Sequence, residues 1–461
     1  MSESVETYVG PLSYVEQTLT KDSAANLHRR IDLQRASQLV MWAFPMVQFT
    51  EAIRANYDNL GADRSETPVG LYVGYDGVYP FFTPNLVVPY TIGSIDLAAT
   101  GPVILKIPAG GVYGVANDRW QQPVVEFNSG LAETFLFLPP GEAAPEGVEG
   151  TVVRPNTFEV LWFFRVVATG PEAEGLSSRV EVYPLGTADD PPPPAQIVEF
   201  RPEPGVDYVT NTPPSDMGFW EIVHGYVQKE QMADRDRFFY AWLAGLGIEK
   251  GKPFDPSPDQ QIILREGLQV GLAMAQANSF NKRAEGAEYA DSGWHQLLAG
   301  LDPAIDLDQY SLFDQRAAYT YEATTTSAGM ISRVAGQGSA YVGAYYDASG
   351  DVLDGGQRYR LRVAPDVPAA NFWCVTGYEA ATRLLLRNDV HQVEVDSRNP
   401  DVEVNGDGTV DVYFGPSAPA GLEANWIQTN PGQSWFAYFR LYGPMDPYFD
   451  ETWPMNPIER T

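Results

Sequence analysis

The stretches TFLFL at residues 134–138 and VLWFF at residues 160–164 decide how this sequence is expected to fold. Both are short apolar runs that contain aromatic and β-branched residues, which favour strands. Similar short runs stand at residues 69–75, 103–107 and 180–183. Many short strands separated by turn residues are typical of a β-sandwich or barrel.

A second strand-rich region is predicted further along the chain. Residues 358–363 (RYRLRV) alternate with the period of two that marks a half-buried strand. Residues 341–346 (YVGAYY) are predicted to pair with them, with a turn at residues 351–356.

The segment NGDG at residues 405–408 predicts a hairpin between residues 402–404 (VEV) and residues 410–414 (VDVYF). Its oxygen-bearing side chains also alternate as in a calcium-binding loop, but Val410 occupies the sixth position, where such loops need glycine. We therefore favour the hairpin turn.

Helices are expected before and between the two β regions. Residues 21–60 carry apolar side chains at helical spacing, and Pro45 should kink or split this helix. Three more helices are predicted, with a cap at Asp216, an end near Gly247 and a start at Ser257. The second should bury Phe238, Phe239, Trp242, Leu243 and Leu246. The third should bury Ile263, Val270, Met274 and Ala277.

A domain boundary is predicted at residues 189–194 (DDPPPP), because a proline run is stiff and extended. An ordinary proline-rich surface loop is the alternative. We predict a mainly β protein with helical segments, in which two β-sandwich domains are joined by a helical middle. The predicted parts are an N-terminal helical segment (1–60), a first β domain (61–195), a helical linker region (196–317) and a second β domain (318–461).

The charge of the chain limits its partners. Sixty acidic against thirty basic residues give a formal net charge of −30. Such a field repels the phosphates of nucleic acids and anionic membrane surfaces, so we expect no nucleic-acid partner. Lysines are few among the bases, which fits either an arginine-favouring genome or adaptation to high salt.

The sequence gives no sign of a membrane span or of export. No apolar run approaches the roughly 18 residues that a span needs. The first residues lack the charged and apolar segments of a signal peptide, so we expect a soluble, cytoplasmic protein, or a periplasmic or secreted one if a signal was trimmed. Cys374 stands alone, which excludes an internal disulfide.

Motifs for metals and cofactors fail on spacing. The four histidines are far apart and belong to no metal-binding motif. Residues 245–253 (GLGIEKGKP) have the wrong spacing for a phosphate-binding loop, and Pro253 replaces the hydroxyl that would hold Mg²⁺. No GxSxG element of a serine hydrolase occurs. We therefore predict no metal and no cofactor.

An ordered series of short phrases carries a family resemblance. They are TPN (83–85), DRWQQP (118–123), LPPG (138–141), VRPNT (153–157), LGIEKGKPF (246–254), YFGP (413–416), NWIQT (425–429) and FRLYGP (439–444). The series resembles a bacterial tandem family, with domain of unknown function 1254 before domain of unknown function 1214.

The resemblance spans nearly the whole chain and implies two jelly-roll-like β-sandwiches joined by helices, but no agreed reaction. Many members carry Asn-x-Asp-Thr after the Thr-Pro pair. Here that stretch is NLVV at residues 85–88, so the acidic residue is absent.

Three hypotheses for function follow. The protein binds a small organic ligand or partner in a groove between its β domains, or it is a hydrolase or lyase with its site in that groove, or it is a structural protein that self-assembles into a homo-oligomer. Arginines beside aromatic residues suit an acidic ligand group. The candidate ligand-binding residues are Asp118, Arg154, Arg316, Tyr321, Trp426 and Arg440.

Overall fold

Five β-sheets and nine α-helices make up the part of the chain that the computed structural model describes, which is residues 2–73, 81–166, 171–187, 196–199 and 211–461. The protein is mainly β with helical segments, as predicted. The helices are α1 (Lys21–Asn59), α2 (Leu97–Thr100), α3 (Pro171–Ser177), α4 (Met217–Lys229), α5 (Arg237–Gly245), α6 (Pro258–Phe280), α7 (Phe313–Glu322), α8 (Ala328–Ile331) and α9 (Asp446–Phe449).

The strands of the N-terminal half form a small sheet and one sandwich. They are β1 (Ser2–Val5), β2 (Leu12–Val15), β3 (Thr18–Leu19), β4 (Val69–Val73), β5 (Tyr90–Asp96), β6 (Val103–Ile107), β7 (Val112–Asp118), β8 (Pro123–Phe127), β9 (Glu133–Phe137), β10 (Thr151–Val153), β11 (Glu159–Val166), β12 (Glu181–Pro184) and β13 (Gln196–Glu199). Strands β1 to β3 form the small sheet, and the sandwich consists of a four-stranded sheet (β10-β9-β6-β12) and a six-stranded sheet (β13-β4-β5-β11-β7-β8).

Strand β11 shows how the first sandwich is built. Val160, Trp162 and Phe164 face the core between the two sheets. Leu161 and Phe163 face the other way, onto the C-terminal half of α1. Because both faces are covered, the strand is apolar at nearly every position, which is why VLWFF marks it so clearly in the sequence.

The predicted strands of this half are present. Those expected at residues 103–107, 134–138, 160–164 and 180–183 correspond to β6, β9, β11 and β12. Strand β4 covers the first five residues of the run at 69–75, and residues 74 and 75 lie outside the described part. The proposed boundary at residues 189–194 also lies outside the described residues.

The strands of the C-terminal half form a second sandwich. They are β14 (His295–Gln296), β15 (Ser339–Ala344), β16 (Tyr359–Val363), β17 (Ala369–Glu379), β18 (Glu394–Asp396), β19 (Val410–Gly415), β20 (Trp426–Gln428), β21 (Trp435–Pro444) and β22 (Ile458–Arg460). A five-stranded sheet (β14-β15-β21-β17-β18) packs against a four-stranded one (β20-β19-β16-β22).

The predicted pairing of residues 341–346 with residues 358–363 is wrong. Strand β15 pairs with β14 and β21, whereas β16 pairs with β19 and β22 in the opposite sheet. The chain crosses from one sheet to the other between them. Consecutive apolar strands of a sandwich share its core without being neighbours, so alternation alone does not give the pairing.

The predicted hairpin at residues 402–414 is also only half present. Strand β19 forms, and the Asn405 amide donates to the Thr409 carbonyl across a tight turn. Residues 402–404 form no strand, and Val404 is 60% exposed. The Asn425 side chain accepts from the Glu403 amide and donates to the Glu403 carbonyl, so this backbone is hydrogen-bonded by a side chain instead of a ladder.

Helix α1 runs without interruption through Pro45, so the helix is not split there. Helix α6 begins as predicted at Ser257, which forms a capping box with Gln260. No helix in the described ranges is long and apolar enough to cross a membrane.

The predicted buried face of α6 is wrong in part. Val270, Met274 and Ala277 are exposed, and the buried face includes Gly267 and Gly271. At these glycines α6 crosses α1 so closely that a β-carbon at Gly271 would lie 2.4 Å from the β-carbon of Val40. A hydrophobicity pattern misses such a face, because glycine gives close approach without apolar area. On α5, Phe238 is likewise 62% exposed instead of buried.

Candidate functional site

A cavity of about 70 Å³ lies where the two sandwiches and the helical layer meet. Its walls come from β5 and β11 on one side and from β15 and β21 on the other. The loop at residues 81–85 and the segment at residues 323–325 complete it, together with apolar side chains at Leu297, Leu298 and Met330.

The first wall is built by the sheet register of the N-terminal sandwich. Arg165 on β11 lies directly opposite Tyr90 on β5, so both side chains are on one face of the sheet. Phe163, two residues before Arg165, shares that face. Arg165 therefore places a positive charge at the edge of an otherwise apolar sheet surface. Its side chain is partly exposed.

The second wall is built in the same way by the C-terminal sandwich. Arg440 on β21 lies opposite Tyr341 on β15 and opposite Cys374 on β17. Tyr438 precedes Arg440 by two residues and is on the same face. The odd-numbered residues of β21, such as Trp435 and Phe439, face the interior of the sandwich and pack on aromatic rings there.

Arg440 joins the two walls. Its Nη2 donates to the carbonyl of Thr83 at 2.8 Å, and its Nη1 donates to the hydroxyl of Thr376 at 2.8 Å. Its Nε has no hydrogen-bond partner among the described residues, although the side chain is only 2% exposed. The Nε–H group of this buried guanidinium is therefore without a partner in the described part of the chain.

The cavity holds two arginines, and the Thr376 hydroxyl that accepts from Arg440 donates in turn to the carboxylate of Glu394. Neither Arg165 nor Arg440 forms a salt bridge with any residue in the described ranges. Arg165 makes one hydrogen bond there, from Nη1 to the Tyr341 hydroxyl at 3.4 Å. An arginine has five N–H donors, so most donors of Arg165 make no hydrogen bond to a described residue.

The hydroxyl of Tyr341 is surrounded by positive charge and donors. Burial acts to raise the pKa of Tyr341, but Arg165, Arg440 and a hydrogen bond from Ser339 act against it, and the net pKa lies below the ordinary value. Burial has the prevailing effect on neighbouring Tyr90, whose pKa is raised. Tyr341 is therefore the phenol at this cavity whose anion is best stabilised.

Two residues on the cavity wall have a backbone conformation that their type disfavours. Thr83 has φ +44° and Thr325 has φ +68°. Both are β-branched and buried. Such residues are rarely found at positive φ, and each costs about 1–3 kcal/mol, so the surrounding structure must hold them there.

A buried charge network supports the cavity from behind. The Tyr438 hydroxyl donates to Glu322 Oε2 at 2.7 Å, and Tyr345 donates to the same oxygen. Lys282 Nζ lies 2.5 Å from Glu322 Oε1. Glu322 is fully buried, so this network fixes Tyr438 in its place at the cavity wall.

Arg440 is the candidate from the sequence that lines the cavity, and two others lie in a separate buried network. Asp118 Oδ1 accepts from the amides of Trp120 and Gln122, and burial raises its pKa to about 6. Arg316 donates to the carbonyl of Gln121 at 3.1 Å, and burial lowers its pKa to about 10. Both side chains hold the turn around Gln121 together.

The remaining candidates lie apart from the cavity lining. Arg154 is exposed. Tyr321 packs on Phe280 and under the guanidinium of Arg383, and Trp426 donates to the carbonyl of Gly415 at 2.9 Å. A ligand-binding role for these three and for Asp118 and Arg316 stays a prediction.

Sequence reasoning missed Arg165 and Tyr341. The available signal was a single arginine at the end of the apolar run VLWFF, on the same strand face as Phe163. No group of three metal-ligating side chains occurs within the described ranges.

The comparisons with known proteins match this architecture. Residues 76–184 match the model of a protein of unknown function, DUF1254, and residues 338–446 match that of a protein of unknown function, DUF1214. The chain carries these two domains in tandem. No curated protein matches it significantly.

Two solved structures are similar to the chain. The VPA0106 protein of Vibrio parahaemolyticus is 19% identical with a TM-score of 0.55, over 93% of this chain and 100% of that chain. A putative uncharacterized protein from Burkholderia cenocepacia is 11% identical with a TM-score of 0.41, over 94% and 96% of the two chains. The likeness to the Vibrio protein supports the fold alone.

Proposed function

We propose that the protein binds a small carboxylic acid in the cavity between its two sandwiches, with the carboxylate held by Arg165 and Arg440. The observation that carries this proposal is the pair of guanidinium groups at one cavity, neither of which forms a direct salt bridge in the described part of the chain; Glu394 is linked to Arg440 only through the Thr376 hydroxyl. A charge in a buried place is costly unless it is paired. A ligand carboxylate would supply the missing partner, since guanidinium groups match its geometry.

The size and lining of the cavity limit the ligand. The cavity is small, with a volume of about 70 Å³. This favours a small acid over a polymer or a nucleotide. Phe81, Phe163, Leu298 and Met330 add an apolar surface, which suits a short hydrocarbon body behind the carboxylate.

The strained threonines support a role for this cavity. Backbone strain persists where the surrounding structure over-determines it, and it clusters at functional sites. Thr83 and Thr325 lie on different sides of the same cavity. Their conformations keep the two segments in place before any ligand arrives.

Propionate and its neutral isostere propionamide test the proposal directly. We expect propionate to raise the melting temperature and to bind in isothermal titration calorimetry, at an ionic strength held constant with sodium chloride. Propionamide should do neither. A larger acid, benzoate, should bind more weakly because the cavity is small.

The variant Arg165→Met should abolish propionate binding. Arg179→Met is the matched control, because it removes the same charge from an exposed arginine, and it should bind propionate as the original chain does. Equal binding of propionate and propionamide, or unchanged binding by Arg165→Met, would refute carboxylate recognition.

A further inference from the structure

We infer that Tyr341 is the acid–base residue of a lyase site, which moves a proton at the carbon next to the bound carboxylate and so eliminates a group from the following carbon. This inference rests on the proposed binding of a small carboxylic acid. The substrate class is 3-hydroxy carboxylic acids, of which 3-hydroxypropionate, with six heavy atoms, suits the size of the cavity.

The placement of Tyr341 supports this role. Its hydroxyl is 3.4 Å from Nη1 of Arg165, and its ring lies 5.8 Å from the guanidinium carbon of Arg440. A carboxylate that binds both arginines is therefore held beside the phenol oxygen. The side chain is partly exposed, so a molecule in the cavity can reach it.

The groups around Tyr341 favour its anion. The hydroxyl accepts from Arg165 on β11 and from Ser339 on its own strand. Among the residues that the structure describes, the charged and titratable groups that face it from the elements packed around it are Arg165, Tyr90, Tyr319, Arg440 and Tyr442. Both charges in this set are positive, and none of these groups is a carboxylate. These positive neighbours consequently favour the phenolate form of Tyr341, which is the form that can accept a proton.

The two arginines would stabilise the negative charge that develops when the carbon-2 proton is removed. A carbon acid next to a carboxylate is weak because removal of its proton creates a second negative charge. Guanidinium groups on the carboxylate oxygens stabilise that charge as it develops in the transition state. The site thus provides both the base and the stabilisation of the enediolate.

The elimination balances without a further reactant. The Tyr341 phenolate takes the proton from carbon 2, and the electron pair of the broken C–H bond forms the enediolate. That pair then becomes the C2–C3 double bond as the C3–O bond breaks. The phenol then returns its proton to the departing hydroxide, which leaves as water. 3-Hydroxypropionate gives acrylate and water, and the phenolate is restored.

Proton NMR in D₂O tests the inference, with 3-hydroxypropionate as the probe and calorimetry to measure its binding. We expect exchange of the carbon-2 protons for deuterium and formation of acrylate. Tyr341→Phe should reduce both rates by about 10²–10⁴-fold, the usual contribution of general acid–base catalysis. Tyr113→Phe, which alters an exposed tyrosine, is the matched control and should keep both rates.

The phenolate itself gives a second measurement. The exchange rate of the original chain should rise with pH as Tyr341 ionises. The ultraviolet difference spectrum between the original chain and Tyr341→Phe should show one tyrosinate at mildly alkaline pH. Absence of that tyrosinate overturns the inference.

The outcomes separate this inference from the proposed function. Binding of 3-hydroxypropionate without exchange overturns the lyase and leaves carboxylate binding intact. Exchange that persists in Tyr341→Phe overturns the role of Tyr341. Failure of propionate and 3-hydroxypropionate alike to bind overturns both proposals. Retained binding with lost exchange in Tyr341→Phe supports both.

Discussion

Removal of the Lys282 ammonium should destabilise the protein strongly, because this ammonium is the cation of a buried ion pair. Lys282 and Glu322 form an ion pair at 2.5 Å, and their side chains are 7% and 0% exposed. The variant Lys282→Met leaves the Glu322 carboxylate buried without its cation. The lysine also donates to the carbonyl of Ser279, and that bond is lost as well.

The expected magnitude follows from the surroundings of Glu322. Loss of one partner of a buried ion pair costs about 3–5 kcal/mol. The hydroxyls of Tyr345 and Tyr438 still donate to Glu322 in the variant, so the lower end of this range, about 3 kcal/mol, applies. The double variant Lys282→Met with Glu322→Gln should regain most of this loss, because a neutral amide needs no counter-ion.

Urea unfolding followed by tryptophan fluorescence measures the free energy of unfolding of these variants. Lys252→Met is the control, since Lys252 is 63% exposed and pairs with Glu249 at the surface, where such pairs contribute about 0–1 kcal/mol. A loss below about 1 kcal/mol in Lys282→Met would refute the reasoning. So would a double variant that is no more stable than the single one.

Three further perturbations test other parts of the structure by the free energy of unfolding. Gly271→Ala should cost about 1–3 kcal/mol through overpacking against Val40, whereas Gly225→Ala, where an added β-carbon meets no atom within 4 Å, should gain up to about 1 kcal/mol; equal effects would contradict the close helix crossing. Burial raises the folded-state pKa of Asp118 to about 6, above an unfolded value of about 3.9, so its contribution to stability is full below pH ~4 and is lost as pH rises through 6. Asp118→Asn should remove that fall, worth about 3 kcal/mol, and an unchanged pH profile would contradict it. Thr325→Gly should be more stable than Thr325→Ala by about 1 kcal/mol, because glycine adopts φ +68° without strain; the reverse order would show that the strain is absent.

The elements that the sequence predicts well are those marked by residues that are close together in the sequence, such as an apolar run or a helix cap. The run VLWFF is buried on both faces and therefore apolar throughout, and Ser257 with Gln260 satisfies the first amides of α6 in a capping box. Strand and helix starts of this kind need only nearby residues. The same holds for Asp216, whose side chain accepts from the Gly218 amide at the start of α4.

The parts that the sequence does not give depend on residues distant along the chain. The packing of the two sheets decides which strand pairs with β15. The residues YVGAYY alone do not indicate that this strand is β21. The buried face of α6 depends on how closely α1 approaches Gly267 and Gly271. In the sequence, Arg165 looks like an arginine at the end of any strand. Its importance becomes visible only in the structure, where the Tyr341 hydroxyl of the other sandwich lies 3.4 Å from its Nη1.

The cavity is lined by residues from both of the matched domains. Two of the phrases that carry the family resemblance, TPN at residues 83–85 and FRLYGP at residues 439–444, meet there through the bond from Arg440 Nη2 to the Thr83 carbonyl. One phrase supplies a strained loop of the first half and the other supplies the cation of the second, so neither half alone contains the site.

The departure from the family pattern fits the same geometry. The position of the missing acid, Val87, packs against Phe372, Cys374 and Tyr442 in a small apolar cluster. Tyr442 neighbours Arg440 on the face of β21 that lines the cavity, so the region next to the two arginines is without that carboxylate here. Val87→Asp would add a negative charge beside Cys374 and Tyr442, which neighbour Arg440 in the sheet. Under the proposed function, this variant should weaken propionate binding.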